Sequence, residues 1–372
     1  MKKWLVTMLG ITLMSALVWA QTPLKIGVVG PYSGDLAGYG IPVKNAAILA
    51  VENINAAGGV NGQKIELVME DDVCEPNTAI NAAKKMVSEK VVAVIGHLCS
   101  GATEAALPTY KESGIILVSA ASTNPSLTLD GKYPNFFRTI AHDAAQANLQ
   151  VDFAVNTLKV KQAIVLHDKG AYGKGLAELV KAGLEAKKVK IEMFEGVTPG
   201  AVDYSALVAK IKATFKTKSK GVAIFFGGYH PEASKIVSEA RKKKINAPFI
   251  SGDGVKDPSF LKIAGEDALG YYASAPTDTS QIKMAGDVSG LYKSKFSADP
   301  GTFTLQGYAA LQALVNAIRK TGGQDYNALV KALKSEEVET PLGKIRFDDH
   351  GDIIGAGFAM YQVAPAFVPV QN

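Results

Sequence analysis

An α/β fold made of open, doubly wound parallel sheets in two domains is predicted by three features of the 372-residue sequence. Short, almost continuously apolar runs recur along the chain. Each is followed by a Gly-rich or polar turn, and each turn leads into a segment with apolar residues at helical spacing. Apolar runs without alternation belong to strands covered on both faces, the condition of parallel strands joined by crossover helices. Roughly 350 residues remain once a leader is subtracted, and a single core stops growing near about 250 to 300 residues, so two cores are expected.

The opening, "MKKWLVTMLGITLMSALVWAQ", has two lysines, an apolar run and small residues before Gln21. It reads as a secretory signal over residues 1–20, cleaved near Ala20. The run is short for a bilayer span and no second stretch approaches ~20 apolar residues, so an exported chain without stable membrane insertion is expected. No cysteine stands at the junction, which argues against a lipid anchor.

Eight strands follow: "LKIGVVG" (24–30), "KIELVMED" (64–71), "VVAVIG" (91–96), "GIILVSA" (114–120), "QAIVLHD" (162–168), "KIEMFEG" (190–196), "GVAIFFGG" (221–228) and "PFISGD" (248–253). Helices fit between them: "IPVKNAAILAVENINAAGG" closes on glycine, "AINAAKKMVSEK" carries its lysines late, and "GLAELVKAGLEA" and "DYSALVAKIKATFK" show one apolar stripe. Four strands precede residue 141 and four follow it, with "FFRTIAHDAAQ" between. After "EDALGYYASAP" the chain turns mainly helical, "GYAALQALVNAIRK" being the clearest helix, and "GKIRFDDHGDIIGAGFAMYQV" reads as a hairpin turning at "DDHGD". Two such sheets would turn the carboxyl ends of their strands toward a common crevice, where ligands bind in this architecture.

Loss of Lys2 and Lys3 with the leader lowers the formal net charge from +5 to +3, too little for a nucleic-acid binder. The lysines of "ARKKKIN" and "FKTKSKG" sit where helices end and read as solvated termini. Cys74 and Cys99 are the only two cysteines, and in an exported chain they suggest one disulfide rather than a nucleophile. The glycines of "VVGPYSGDLAGYG", at 30, 34, 38 and 40, do not match a dinucleotide fingerprint and no P-loop occurs, so no cofactor is expected. That loop instead lets backbone approach a ligand while Tyr39 supplies an aromatic wall. His97, His142, His167, His230 and His350 lack metal-ligand spacing and read as local hydrogen-bonding residues. No G-x-S-x-G elbow is present and no catalytic constellation is visible.

Small hydroxyl-bearing, aromatic or acidic residues do stand at strand ends: Ser100, the stretch "SAASTNP" (119–125), Tyr172, Tyr229 and Asp253. Backbone N–H groups with Ser100 and Thr123 can hold a carboxylate beside a helix N-terminus, and Asp253 can pair an ammonium, so the ligand reads as a zwitterion.

Together "DDVCEP", "VIGHLCS", "HDKGAYGKGLA", "GGYHPE", "SGDGV" and "GYAALQAL" resemble the periplasmic leucine/isoleucine/valine-binding proteins that feed ABC importers, over nearly the whole mature chain. The resemblance implies a type I periplasmic binding protein fold, a monomer of two lobes joined by three crossover strands. Residues 24–141 with 273–349 would form lobe one, and 142–272 with 350–368 lobe two. It implies the Cys74–Cys99 bridge, Ser100 and Thr123 on the ligand carboxylate, the Ala121 carbonyl on its ammonium, and Tyr172 and Tyr229 arriving from the second lobe. Tyr39, Leu98 and Phe303 would line the side-chain pocket. Asp253 stands where the family carries Glu; one methylene shorter, it would meet the ammonium through a water or meet another ligand group. A periplasmic carrier of a branched-chain amino acid, delivered to permease subunits, is the expectation. A same-fold carrier of a polar or aromatic amino acid, an amide or urea, and an exported α/β enzyme, remain as alternatives.

Overall fold

The computed structural model describes residues 22–214, 221–323 and 325–370; the expected leader lies outside the described residues. β1 (Leu24–Gly30), β2 (Ile65–Asp71), β3 (Ala93–Ile95), β4 (Ile116–Ser119) and β5 (Phe136–Arg138) form a first sheet in the order β2-β1-β3-β4-β5, every pair parallel. β6 (Gln162–His167), β7 (Lys190–Gly196), β8 (Val222–Gly227), β9 (Phe249–Ser251) and β10 (Tyr272–Pro276) repeat this order as β7-β6-β8-β9-β10, again parallel. β11 (Val338–Thr340), β12 (Gly343–Phe347) and β13 (Ile353–Ile354) make a small antiparallel sheet. β14 (Phe358–Val363) and β15 (Phe367–Pro369) extend the second sheet antiparallel beyond β10. The architecture is the expected α/β one, with a doubly wound sheet in each of two lobes.

The apolar runs explain the layering. Ile26, Ile95, Ile116 and Val118 face the Ala37–Ala56 and Thr304–Thr321 helices, while Val29, Val94, Leu117 and Phe136 face the Pro76–Ser88 and Ser100–Glu112 helices. In the second sheet Ile164, Leu166, Ile224 and Phe226 face the Ser205–Thr214 and His230–Lys242 helices, and Ala163, Val165, Ala223 and Phe225 face Asp143–Asp152 and Ala171–Ala186. Alternate side chains thus go to opposite faces and both faces are buried, which is why the sequence shows unbroken apolar runs.

Strands that escaped the sequence reading include β5 and β10. β5 has only three residues inside "FFRTIAHDAAQ", and β10 buries the small residues Ala273, Ser274 and Ala275, which carry little apolar signal. The chain crosses between sheets three times: after β5, after β10 and between β13 and β14. Because β10 pairs with β9 through Tyr272 and Ala273, the second crossing follows Pro276 rather than residue 272. The turn at Asp348–Asp352 forms as read, but its second arm is only Ile353–Ile354, so the third crossing lies after Ile354 rather than at 349. Gly355, with φ 103°, breaks the arm there, in a region that excludes most side chains.

Candidate ligand-binding site

In each sheet the strand order reverses at one point, between β1 and β3 and between β6 and β8. Crevices of doubly wound sheets open at the carboxyl ends of strands beside such points. The chains leaving β1, β3, β4, β6, β8 and β9 bring Tyr39, Leu98, Ser100, Ala121, Tyr172, Tyr229 and Asp253 there, and Phe303 joins them from the start of the Thr304–Thr321 helix.

Leu98 and Ser100 follow β3. Their approach is fixed from beneath by fully buried His97, whose Nδ1 is 2.6 Å from Asp72 Oδ2 and whose Nε2 is 3.0 Å from the Tyr110 hydroxyl. The His97 carbonyl accepts from Ser119 Oγ at 2.6 Å and Ser122 Oγ at 3.1 Å. Cys74 and Cys99 are bridged with their Cα atoms 5.5 Å apart, tying the loop after β2 to residue 99. Ser100 opens the Ser100–Glu112 helix, and its Oγ accepts from the Asn124 N–H at 3.2 Å, leaving the hydroxyl hydrogen to donate elsewhere.

The loop after β4 carries Ala121 and Thr123. Fully buried Arg138 holds it: Nη1 donates to the Ser122 carbonyl at 3.1 Å and the Asn124 carbonyl at 2.8 Å, while Nε pairs with Asp352. Ala121 lines the cavity. Thr123 does not; it is fully buried behind the wall, its Oγ1 lacks a partner and its carbonyl accepts from the Asp143 N–H at 2.8 Å.

From the second lobe, Tyr172 starts the Ala171–Ala186 helix, brought against the end of β8 by a glycine pair. A Cβ on Gly227 would lie 2.0 Å from the Gly173 carbonyl oxygen, so only glycine permits this approach. The Tyr172 hydroxyl donates to Asp253 Oδ1 at 2.7 Å and accepts from the Gly254 N–H at 3.1 Å. Gly254 N–H also reaches Asp253 Oδ1 at 3.1 Å, and Gln146 Nε2 reaches it at 3.4 Å. Asp253 Oδ2 has no partner. The Tyr229 ring packs tilted against its neighbours, its centroid 5.2 Å from that of Tyr172 and 6.4 Å from that of Tyr39.

These residues enclose a cavity of about 20 Å³, walled by Tyr39, Leu98, Phe303 and the Cys99–Ser100 turn on one side and by Tyr172, Tyr229, Asp253 and Gly254 on the other. That is room for about one water. The Tyr39 and Phe303 ring centroids are 5.6 Å apart. The lobes meet directly beside it: the Tyr39 hydroxyl donates to the Gly254 carbonyl at 2.7 Å and lies 3.0 Å from His230 Nδ1, and Asn124 Nδ2 donates to the Ala171 carbonyl at 2.7 Å. Tyr39 has one hydroxyl hydrogen, already given to Gly254, so His230 carries its proton on Nδ1 and donates.

Burial dominates the electrostatics. It pushes the Asp253 carboxyl up to about 6, against the pull of hydrogen bonds from Tyr172, Gln146 and Gly254. Burial also raises Asp143 well above its ordinary value, with the Asp253 charge adding to the rise. Tyr39, Tyr172 and Tyr229 are likewise raised by burial and stay neutral hydroxyls. A desolvated carboxylate with one free oxygen, in a cavity with an apolar wall, is suited to a cation.

His142 and His167 hydrogen-bond locally, His167 Nδ1 accepting from the Lys169 N–H at 3.1 Å, whereas His97 reaches Asp72 and Tyr110, 25 and 13 residues away. His230 differs, because its partner Tyr39 is 191 residues away and sits on the other lobe. Gly254, which lines the cavity, and His230 and Gln146, which bond the lining residues Tyr39 and Asp253, were missed by sequence reasoning. Nothing local marks them, since a histidine after a strand and a glutamine inside a helix are ordinary in both settings. Among the described residues, no group of three or more His, Cys, Asp or Glu could hold a metal ion, and no helix is long and apolar enough to cross a membrane.

Two doubly wound lobes meeting over such a cavity define a solute-binding protein. The chain belongs to the periplasmic binding protein family, whose pattern matches residues 23–366. It is 35% identical to the leucine-, isoleucine-, valine-, threonine-, and alanine-binding protein of Pseudomonas aeruginosa, with 92% of this chain and 90% of that one covered. Among solved structures it is similar to a leucine binding protein from Thermotoga maritima, with TM-score 0.85, 25% identity and 94% and 98% of the two chains covered. It is also similar to the branched-chain amino acid transporter substrate binding protein of Streptococcus pneumoniae in complex with isoleucine, with TM-score 0.83, 28% identity and 94% and 100% covered.

Proposed function

We propose that this chain is an extracytoplasmic carrier that closes its cleft on an aliphatic, branched-chain amino acid and presents the closed form to the permease subunits of an ABC importer. It acts as a monomer in the periplasm after loss of its leader, and it binds without making or breaking bonds. The observation that carries the reading is the single free, fully buried carboxylate oxygen of Asp253 beside the apolar wall of Tyr39, Leu98 and Phe303. The Asp253 carboxylate takes the ammonium with the Ala121 carbonyl, and Ser100 and the loop amides take the carboxylate. Tyr172 and Tyr229 complete the contacts, and Thr123 supports the loop from behind.

The expected division, 24–141 with 273–349 and 142–272 with 350–368, is kept with its two later boundaries at the crossings, so that lobe one comprises residues 24–141 and 277–354 and lobe two residues 142–276 and 355–368. The cavity of about 20 Å³ has room for about one water, so on this reading the lobes part before ligand enters. Ligand favours reclosure only by its differential affinity for the closed form.

A thermal-shift screen over the standard amino acids tests the reading. Ligand at about 1,000 times its dissociation constant adds about 4 kcal/mol to stability, and silence from every aliphatic amino acid refutes the assignment. The ring-rich wall, with Tyr39, Tyr172, Tyr229 and Phe303 around one cavity, favours as a second reading a same-fold carrier of another small ligand: a polar or aromatic amino acid, an amide or urea. The same screen, widened to those compounds, separates the two.

A further inference from the structure

Behind the cavity wall lies a buried polar cluster that contact with ligand does not explain. Gln146 sits one turn into the Asp143–Asp152 helix and is fully buried. Its Oε1 accepts from the Asp253 N–H at 2.9 Å and from Ser274 Oγ at 2.7 Å. The Asp253 backbone N–H fixes the amide orientation, because the flipped amide would set N–H against N–H. Its Nε2 therefore points at carboxylates, 3.0 Å from Asp143 Oδ1 and 3.4 Å from Asp253 Oδ1.

The consequences for Asp253 are geometric. Its backbone N–H and its Oδ1 are both tied to one side chain, and Tyr172 and Gly254 occupy Oδ1 as well. Rotation about the carboxyl would break these bonds, so Oδ2 stays the oxygen free for a ligand. Aspartate is one methylene shorter than glutamate and cannot reach as far; holding it at a fixed height over the cavity floor matters correspondingly more.

We propose that Gln146 is a positioning residue for ammonium recognition, acting through Asp253 by locking the carboxyl with Oδ2 toward the cavity. The inference rests on the amino-acid reading above and adds a residue that never touches ligand. It predicts selectivity of effect: Gln146 matters to ligands that carry an amine and not to those that lack one.

The test is calorimetric titration of the full chain with L-leucine and with 4-methylpentanoate, the same skeleton without the amine. Gln146→Leu should weaken L-leucine about ten-fold or more, as expected for lost hydrogen bonds to a charged group, and leave 4-methylpentanoate within about two-fold. In an Asp253→Asn background, adding Gln146→Leu should change L-leucine affinity by less than about two-fold, because the coupling partner is gone. Should Gln146→Leu not fold, Gln146→Met keeps the side-chain length without a donor to Asp253, and the same amine-selective loss is expected. Equal weakening of both ligands, or an undiminished Gln146 effect without Asp253, overturns the inference and leaves the amino-acid reading standing. A wild-type chain that binds no amino acid overturns both.

Discussion

The hydroxyl of Tyr39, on the first helix of lobe one, donates a 2.7 Å hydrogen bond to the carbonyl of Gly254 in lobe two, 215 residues further along the chain. The same oxygen accepts from His230 at 3.0 Å. Both bonds exist only while the lobes are together, so they stabilise the closed form without contributing to either lobe alone.

Tyr39→Phe keeps the ring that walls the cavity and deletes both bonds. A neutral hydrogen bond contributes about 1 kcal/mol net, so ligand affinity should fall about five- to thirty-fold. The thermal midpoint without ligand should fall little in comparison. Calorimetry and small-angle scattering check this; unchanged affinity would mean that the contact does not hold the lobes.

Asp253 sets the pH response. Burial raises its folded-state carboxyl to about 6 from the ordinary 3.8. A raised acid contributes stability that is present below the unfolded value and is lost as pH rises from about 4 to about 6, so this group disfavours the unliganded fold at neutral pH. Ammonium binding requires the ionised form. Affinity for an amino acid should therefore drop about ten-fold per unit below pH 6, and Asp253→Asn should bind weakly with a flat profile from pH 5 to 8. An identical pH slope in Asp253→Asn would assign the titration to another group.

Replacing Cys74 and Cys99 by alanine opens a loop with a sequence separation of 25. The chain-entropy model gives a loss of about 3 kcal/mol, read by denaturant unfolding. Affinity should fall too, because Ser100 follows the bridge directly and its ordering is then charged to binding. Reduced stability with full affinity would limit the bridge to a structural role.

Arg138 is fully buried and Asp352 is 6% exposed; together they join the loop at Ser122–Asn124 to the turn before β13. Arg138→Met leaves Asp352 buried and unpaired and should cost about 3–5 kcal/mol. The double change Arg138→Met with Asp352→Leu should recover a good part of that. Urea titrations of the single and double variants decide it, and equal losses in both would mean the carbonyl contacts of Arg138 outweigh the ion pair.

Much of the fold was legible because burial on both faces writes itself into the chain as unbroken apolar runs. "QAIVLH" and "VAIFFG" could be little else once flanked by helical spacing. β10 was illegible for the complementary reason: Ala273 and Ala275 are buried by virtue of being small, and small residues carry no period. The cavity-lining residues Ser100, Ala121, Tyr172, Tyr229 and Asp253 were visible because each follows a strand in a fold whose strand ends converge. Thr123 belongs to the same loop, yet it does not line the cavity, a distinction between neighbouring residues that spacing does not encode.

The sequence by itself determined the class of fold, the number of lobes and which strand ends would line the cavity, since these follow from hydrophobic period and from turns read locally. Only the tertiary structure decided that Gln146 braces Asp253, that Tyr39 pairs with His230 and Gly254, and which oxygen of Asp253 is left free. Those contacts join groups 107, 191 and 215 residues apart, and nothing in a local pattern specifies which distant polar atoms will be desolvated together. Once they are buried, each must find a partner or cost free energy, and that constraint acts only in the assembled core.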